Sequence, residues 1–175
     1  MGDSVRSERS VGRQPKTIRF AMFGAAATVA LAAAPAALAQ RGDGLAQFAG
    51  SWVGSGTIAT TSGSERIRCR VNYSLAGPNS LHQDLRCASD SYNFQVSADI
   101  VDRGGAISGT WTEVTRGVSG NVSGRMGGGA IEVAVSGSGF SAGLSISTSG
   151  NRQSVSIRPS GGDIRDVSVS LTRSR

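Results

Sequence analysis

The sequence predicts an all-β protein: an antiparallel up-and-down meander of eight to ten strands closed into a barrel, behind a cleavable export signal. Three observations carry that prediction. Apolar and polar residues alternate with a period of two through most of the chain from Ser51 onward, the signature of strands with one buried face. Gly- and Ser-rich turns recur about every ten to fifteen residues between those segments, which makes sequence neighbours into hairpins. Two cysteines, Cys69 and Cys87, lie symmetrically about Gly77-Pro78-Asn79, which fixes the register of one of those hairpins.

The first 39 residues read as an address. A basic stretch (Arg6, Arg9, Arg13, Lys16, Arg19) precedes an uncharged Ala-rich run from Phe20 that closes with Ala37-Leu38-Ala39 before Gln40. That is the order of n-region, h-region and A-x-A site in a secretory signal. The run is about 20 residues long, so an uncleaved membrane anchor is the competing reading. Alanine is only weakly hydrophobic, however, and Pro35 lies where signal peptides commonly break, which favours cleavage after Ala39. The basic stretch is longer than usual, so a start further along the chain is a second reading. Residues 1–39 are assigned to a signal peptide, 40–50 to an N-terminal segment with a short helical turn that Asp43 caps, and 51–175 to the barrel domain. The expected location is the periplasm or the extracellular space, with no stable membrane span after cleavage.

Cleavage would leave 136 residues, 13 Arg, no Lys and 10 acidic residues, a net charge of +3 against +6 for the full chain. Most of the arginines are spread singly over many strands, so a nucleic-acid footprint is not supported. One domain of this size buries roughly two-thirds of its unfolded surface. An even cysteine count in an exported chain predicts a disulfide between Cys69 and Cys87.

Ten strands are predicted, near 51–60, 65–76, 80–89, 92–101, 105–115, 118–126, 129–137, 139–148, 152–159 and 164–173. In the first hairpin Ile67, Cys69, Val71, Tyr73 and Leu75 share one face. Folding about Pro78 sets Leu75 opposite Leu81, Tyr73 opposite Gln83, Val71 opposite Leu85 and Cys69 opposite Cys87, so pattern and turn agree on one register. A second hairpin turning at Arg103-Gly104 is expected to pair Ile100 with Ile107, Ala98 with Gly109, Val96 with Trp111 and Phe94 with Glu113. Short-looped neighbours with one apolar face form a meander, and closure removes its edges. An outer-membrane barrel would need aromatic girdles, which seven aromatics after Ala39 do not supply. Recurrent Ser-Gly pairs suggest a β-solenoid, but their spacing is irregular.

Phe48-Ala49-Gly50-Ser51-Trp52, after a short turn and at the start of the first strand, resembles the opening of the calycins, the group that holds lipocalins, fatty-acid-binding proteins and avidins. The resemblance implies that Trp52 closes one end of the barrel and packs against a basic residue of the last strand, for which Arg173 is the matching position. It also implies a barrel that carries a small molecule or lipid. The long helical lid of fatty-acid-binding proteins and a paired Arg-Tyr carboxylate clamp have no counterpart here.

Few residues suit catalysis. The only histidine, His82, falls on the polar face beside Ser74 and next to Asp84, where a triad would form on exposed surface. With one His and two paired cysteines there is no transition-metal set, so no metal, cofactor or enzymatic activity is expected. Gly54-x-Gly56-x-x-Ala59 and Gly137-x-Gly139-x-x-Ala142 mimic a nucleotide fingerprint but lie in strands without a following helix. Glu113 is the exception, because its register places a carboxylate among inward residues. It either reaches water at the rim near Tyr92 and Thr115, pairs with an Arg, or orients a ligand. The expected ligand site is a barrel interior lined by Trp52, Ile58, Tyr73, Phe94, Trp111, Glu113 and Phe140. Small residues at Gly54, Gly56, Ala98, Gly109, Gly120 and Gly124 either leave room beside them or let the barrel flatten shut. On the outside, Arg66, Arg68, Arg70 and Arg86 form a basic stripe, a solvated face or a contact for an acidic envelope partner. The two functions these features support are binding of a small apolar or amphipathic ligand and a non-catalytic envelope module acting through its arginines.

Overall fold

A computed structural model describes residues 44–175 of the chain. The expected signal peptide and the Asp43 cap lie outside the described residues. Gly44–Phe48 forms one 3₁₀ turn. Ten strands follow: β1 (Gly50–Thr60), β2 (Gly63–Gly77), β3 (Ser80–Ala88), β4 (Asn93–Arg103), β5 (Ala106–Glu113), β6 (Val118–Gly127), β7 (Ala130–Gly137), β8 (Phe140–Ser149), β9 (Arg152–Pro159) and β10 (Ile164–Arg173). Each strand pairs antiparallel with its sequence neighbours, and β1 pairs with β10 to close the barrel.

The β2–β3 hairpin has the register its residues dictate, with Leu75 opposite Leu81 and Cys69 opposite Cys87. The two cysteines are joined in a disulfide. The β4–β5 hairpin departs from expectation by two residues: Val96 faces Glu113, Ala98 faces Trp111 and Ile100 faces Gly109. The reason is the turn. A loop at Arg103-Gly104 would force Arg103 to positive φ, which L-residues resist, whereas the observed loop is Gly104-Gly105 with φ of 67° and 93°. The Asp102 carboxylate accepts the Gly105 N–H at 2.6 Å and braces it. A slip of two preserves the faces, so the inward set survives the correction.

Inward residues from every strand make one apolar interior. Leu75 is an exception, 47% exposed where β2 outruns the barrel end. The outer face is polar. Ser147, Ser154, Ser170 and Ser55 lie side by side across β8, β9, β10 and β1, where a membrane barrel carries its apolar band. Among the described residues no helix is long and apolar enough to cross a membrane.

One end of the barrel is plugged by the 3₁₀ turn, whose Leu45 and Phe48 are buried. Phe48 meets Tyr73 edge-to-face at 6.4 Å. The Trp52 indole N–H donates to the Phe48 carbonyl at 2.8 Å. Arg173, directly opposite Trp52 in the sheet, stands 4.2 Å above the indole and donates to the carbonyls of Gln47 and Ala49. The cation, the ring and the turn therefore hold one another.

The disulfide closes a loop 18 residues long, so the chain-entropy account assigns it roughly 3 kcal/mol. Reduction, or the double substitution Cys69→Ala and Cys87→Ala, is expected to lower urea stability by about that amount while leaving the β-sheet circular dichroism intact. An unchanged urea midpoint would show that the bridge constrains nothing.

Candidate functional site

Between the plug and the opposite end lies a cavity of about 490 Å³. Its floor is Phe48 and Tyr73; its walls are the aliphatic residues of β3 to β8, such as Leu85, Val96, Ile107, Val122, Val133 and Leu144. Its mouth is formed where the β3–β4, β5–β6, β7–β8 and β9–β10 connections meet, with Tyr92, Phe94, Glu113, Arg116, Phe140 and Ile164 around it. Tyr92 and Phe94 stack at 6.0 Å, and Trp111 meets Phe140 edge-on at 5.7 Å. Phe140 remains 39% exposed at the rim.

Of the seven residues expected to line the interior, Tyr73, Phe94, Trp111, Glu113 and Phe140 do so. Trp52 and Ile58 do not. Both are fully buried on β1, Trp52 within the seal and Ile58 opposite Val167 of β10. The glycines also act differently from expectation. A methyl placed on Gly54 would collide with the Ser170 carbonyl and the Leu171 Cα, and one on Gly56 with the Ser168 carbonyl and the Val169 Cα. These positions are filled by the neighbouring strand's backbone instead of giving room to a guest. They allow the strands to coil tightly at the seam. Ala98, by contrast, does line the cavity.

Glu113 is buried at the mouth, and its partners explain why. One carboxylate oxygen accepts the Gln95 N–H at 3.1 Å and the other accepts the Arg116 N–H at 2.7 Å, with the Arg116 guanidinium at 3.5 Å. Burial alone would raise its pKa. The N–H groups of Gln95 and Arg116, then the Thr115 hydroxyl and the Arg116 charge, outweigh burial and hold the carboxyl below the usual range. Glu113 is thus a carboxylate that ties β4 to the β5–β6 turn.

A second polar group inside the barrel was not anticipated. The Tyr73 hydroxyl donates to Gln153 Oε1 at 3.3 Å, and Gln153 Nε2 donates to Thr148 Oγ1 at 3.0 Å. All three residues are buried. Burial pushes the Tyr73 phenol far above its ordinary pKa against a smaller opposite pull from Gln153, so it remains a neutral donor. The signal was present: Thr148 and Gln153 share the inward parity of Ile146 and Val155, as Glu113 shares that of Trp111.

The remaining candidates lie outside. His82 Nδ1 is 2.7 Å from Asp99 and Nε2 is 3.6 Å from Asp84. The hydrogen bond to Asp99 is the chief cause that raises its pKa. Both imidazole nitrogens thus face carboxylates, and Ser74, though opposite His82 in the sheet, takes no part. Arg66, Arg68, Arg70 and Arg86 are exposed on the outer face of β2 and β3, with Arg70 and Arg86 directly opposite one another. Among the described residues no group of three metal-ligating side chains is assembled.

Comparison with solved structures places this architecture. The Rv2717c protein of M. tuberculosis superposes with a TM-score of 0.61 over 75% of this chain and 95% of that one, at 17% identity. The S-type phycobiliprotein lyase CPES of Guillardia theta superposes with a TM-score of 0.52 over 75% and 90%, at 13% identity. The fold is a calycin-like barrel. No family model matches the chain, and no curated protein does. At these identities the likeness is one of fold.

Two substitutions test the buried polar groups of this calycin-like barrel. Tyr73→Phe leaves the Gln153 carbonyl oxygen without its donor and is expected to cost about 1–3 kcal/mol, read from urea unfolding; a cost near zero would show that the network is incidental. Glu113→Gln tests the depressed carboxyl. A carboxyl whose folded pKa lies below its unfolded value adds stability above the unfolded pKa and loses it as pH falls through the folded one. The variant should therefore be clearly less stable than the parent at neutral pH, with the gap closing in acid. An equal difference at both pH values would contradict an ionised Glu113.

Proposed function

We propose that this protein is an exported binding protein that holds a small apolar or amphipathic molecule inside its barrel. The observation that carries the reading is the cavity: about 490 Å³, plugged at one end, open at the other, and walled almost wholly by aliphatic and aromatic side chains. Ligand sites typically span roughly 300–1,000 Å³ with a few placed polar groups, and this interior has that size and composition. The basic and Ala-rich order of residues 1–39 supports export. That one solved barrel of this fold is a phycobiliprotein lyase is in keeping with the reading but adds only a likeness of fold. Binding is favoured over catalysis because Tyr73 is a neutral donor committed to Gln153 and Glu113 is committed to backbone N–H groups.

One observation favours a second reading, contact with an acidic envelope partner through the outer arginines. Arg70 faces Val53 and Arg86, Arg66 faces Thr57, Arg68 faces Ser55 and Ala88, and Arg86 also faces Gln95. No acid stands opposite any of them in the sheet, and like charges directly opposite are unfavourable, which an anionic partner would relieve.

The full-length chain, secreted by a host and incubated with a lipid extract, is expected to show a discrete small-molecule adduct in native mass spectra, on a polypeptide beginning at Gln40. Ala98→Phe, which places a ring in the cavity, should abolish the adduct while unfolding stays cooperative. Spectra without adduct across extracts would defeat the carrier reading and leave the arginine surface as the better one.

A further inference from the structure

We propose that Arg116 receives the carboxylate of a single-chain amphiphile whose tail lies in the barrel, so that the ligand is held head-out at the mouth. The proposal rests on the cavity reading above and adds the chemistry of the ligand's polar end.

Charge location is the first argument. Of the side chains that line the cavity, only Glu113 and Arg116 are charged, and both stand at the mouth. Deeper in, Tyr73 is engaged by Gln153. A ligand with one charged end therefore finds a counter-charge only at the rim, with its tail directed toward Phe48.

The second argument concerns which member of that pair is available. Glu113 has a side chain 9% exposed, whereas that of Arg116 is 52% exposed. Two backbone N–H groups hold the carboxylate, and the Arg116 guanidinium pairs with it at 3.5 Å, long for a charge-assisted hydrogen bond, so the half-exposed guanidinium keeps N–H groups for a ligand. The mouth thus presents its cation and withdraws its anion. An ammonium head would meet an exposed guanidinium; a carboxylate would meet its complement.

The third argument is preorganisation. The guanidinium stands over the Phe94 ring at 5.6 Å and donates one hydrogen bond, from Nη1 to the Asn93 carbonyl at 3.2 Å. Ring and carbonyl fix its position from one side, and the remaining N–H groups form the planar fork that suits a carboxylate. A lysine would supply the charge without the fork.

The test uses the disulfide-bonded mature chain, titrated calorimetrically with laurate and with dodecanol, which differ in the head group. Laurate is expected to bind more tightly by about five-fold, a modest factor because the site is half exposed. Arg116→Gln should bring the laurate-to-dodecanol ratio close to unity by weakening laurate, and Arg116→Lys should retain part of the preference. The Arg116 main-chain bond to Glu113 survives in both variants. Arg116→Gln gives up the guanidinium's contacts with Glu113, Phe94 and Asn93, so it is expected to melt somewhat below the parent, and the ratios are compared at a temperature where all three proteins are folded. Equal affinity of the parent for the two ligands, or an unchanged ratio in Arg116→Gln, overturns the role of Arg116 while leaving the cavity reading intact. Failure of both ligands to bind the parent overturns the cavity reading and this proposal with it.

Discussion

The pairing of β1 with β10 governs the rest of the structure. Without it the meander would end in two unpaired strands, Gly50–Thr60 and Ile164–Arg173, each a row of open N–H and C=O groups inviting another chain. Closing them brings together segments more than a hundred residues apart in sequence and demands close approach, which Gly54 and Gly56 permit against the Ser170 and Ser168 carbonyls. Closure also assembles the plug. Because the register sets Trp52 opposite Arg173, completing the ring lays the cation on the indole and ties the 3₁₀ turn to the last strand through the Gln47 and Ala49 carbonyls. Sheet edge, end cap and cavity floor thus arise from one strand pairing.

Much of the fold was legible because a half-buried strand writes its face into a two-residue period. Every predicted strand exists, and the Cys69–Cys87 hairpin has the register that its apolar pairs and its turn both require. The β4–β5 register was misread because two adjacent glycines offered alternative turns, and only the cost of positive φ at Arg103 separates them. The inward glycines admit two readings from sequence, room for a guest or closer strands, for a deeper reason. A missing side chain looks like space in a sequence, but a strand can fill that space with its neighbour's backbone, and only closure determines which occurs. Parity puts both Trp52 and Ile58 inside, and the resemblance pairs Trp52 with Arg173, as the seam does; parity tells inside from outside but does not tell which inside positions face the cavity and which are packed at the seam. Glu113 was visible as an inward carboxylate, but its partners Gln95 and Arg116 depend on the corrected register.

Strand number explains why an open interior exists at all. Barrel diameter grows with the number of strands, and about eight strands give an interior that side chains just fill. Ten strands enclose more, and the hydrogen-bonded ring resists flattening. The large inward residues gather at the two ends, Phe48, Trp52 and Tyr73 at the plug and Tyr92, Phe94, Trp111 and Phe140 toward the mouth, leaving medium aliphatic residues such as Val96, Val122 and Leu144 in the walls between. A sealed apolar void of 490 Å³ at about 24 cal/mol per Å³ would cost on the order of 10 kcal/mol, comparable with the whole stability of a domain. A barrel built this way is tolerable only with its mouth open to water or to a guest, and apolar walls hold water weakly. The sequence places the aromatic residues Tyr92, Phe94 and Phe140 and the half-exposed Arg116 at that opening, so the end that must stay open is also the end that carries the chemistry.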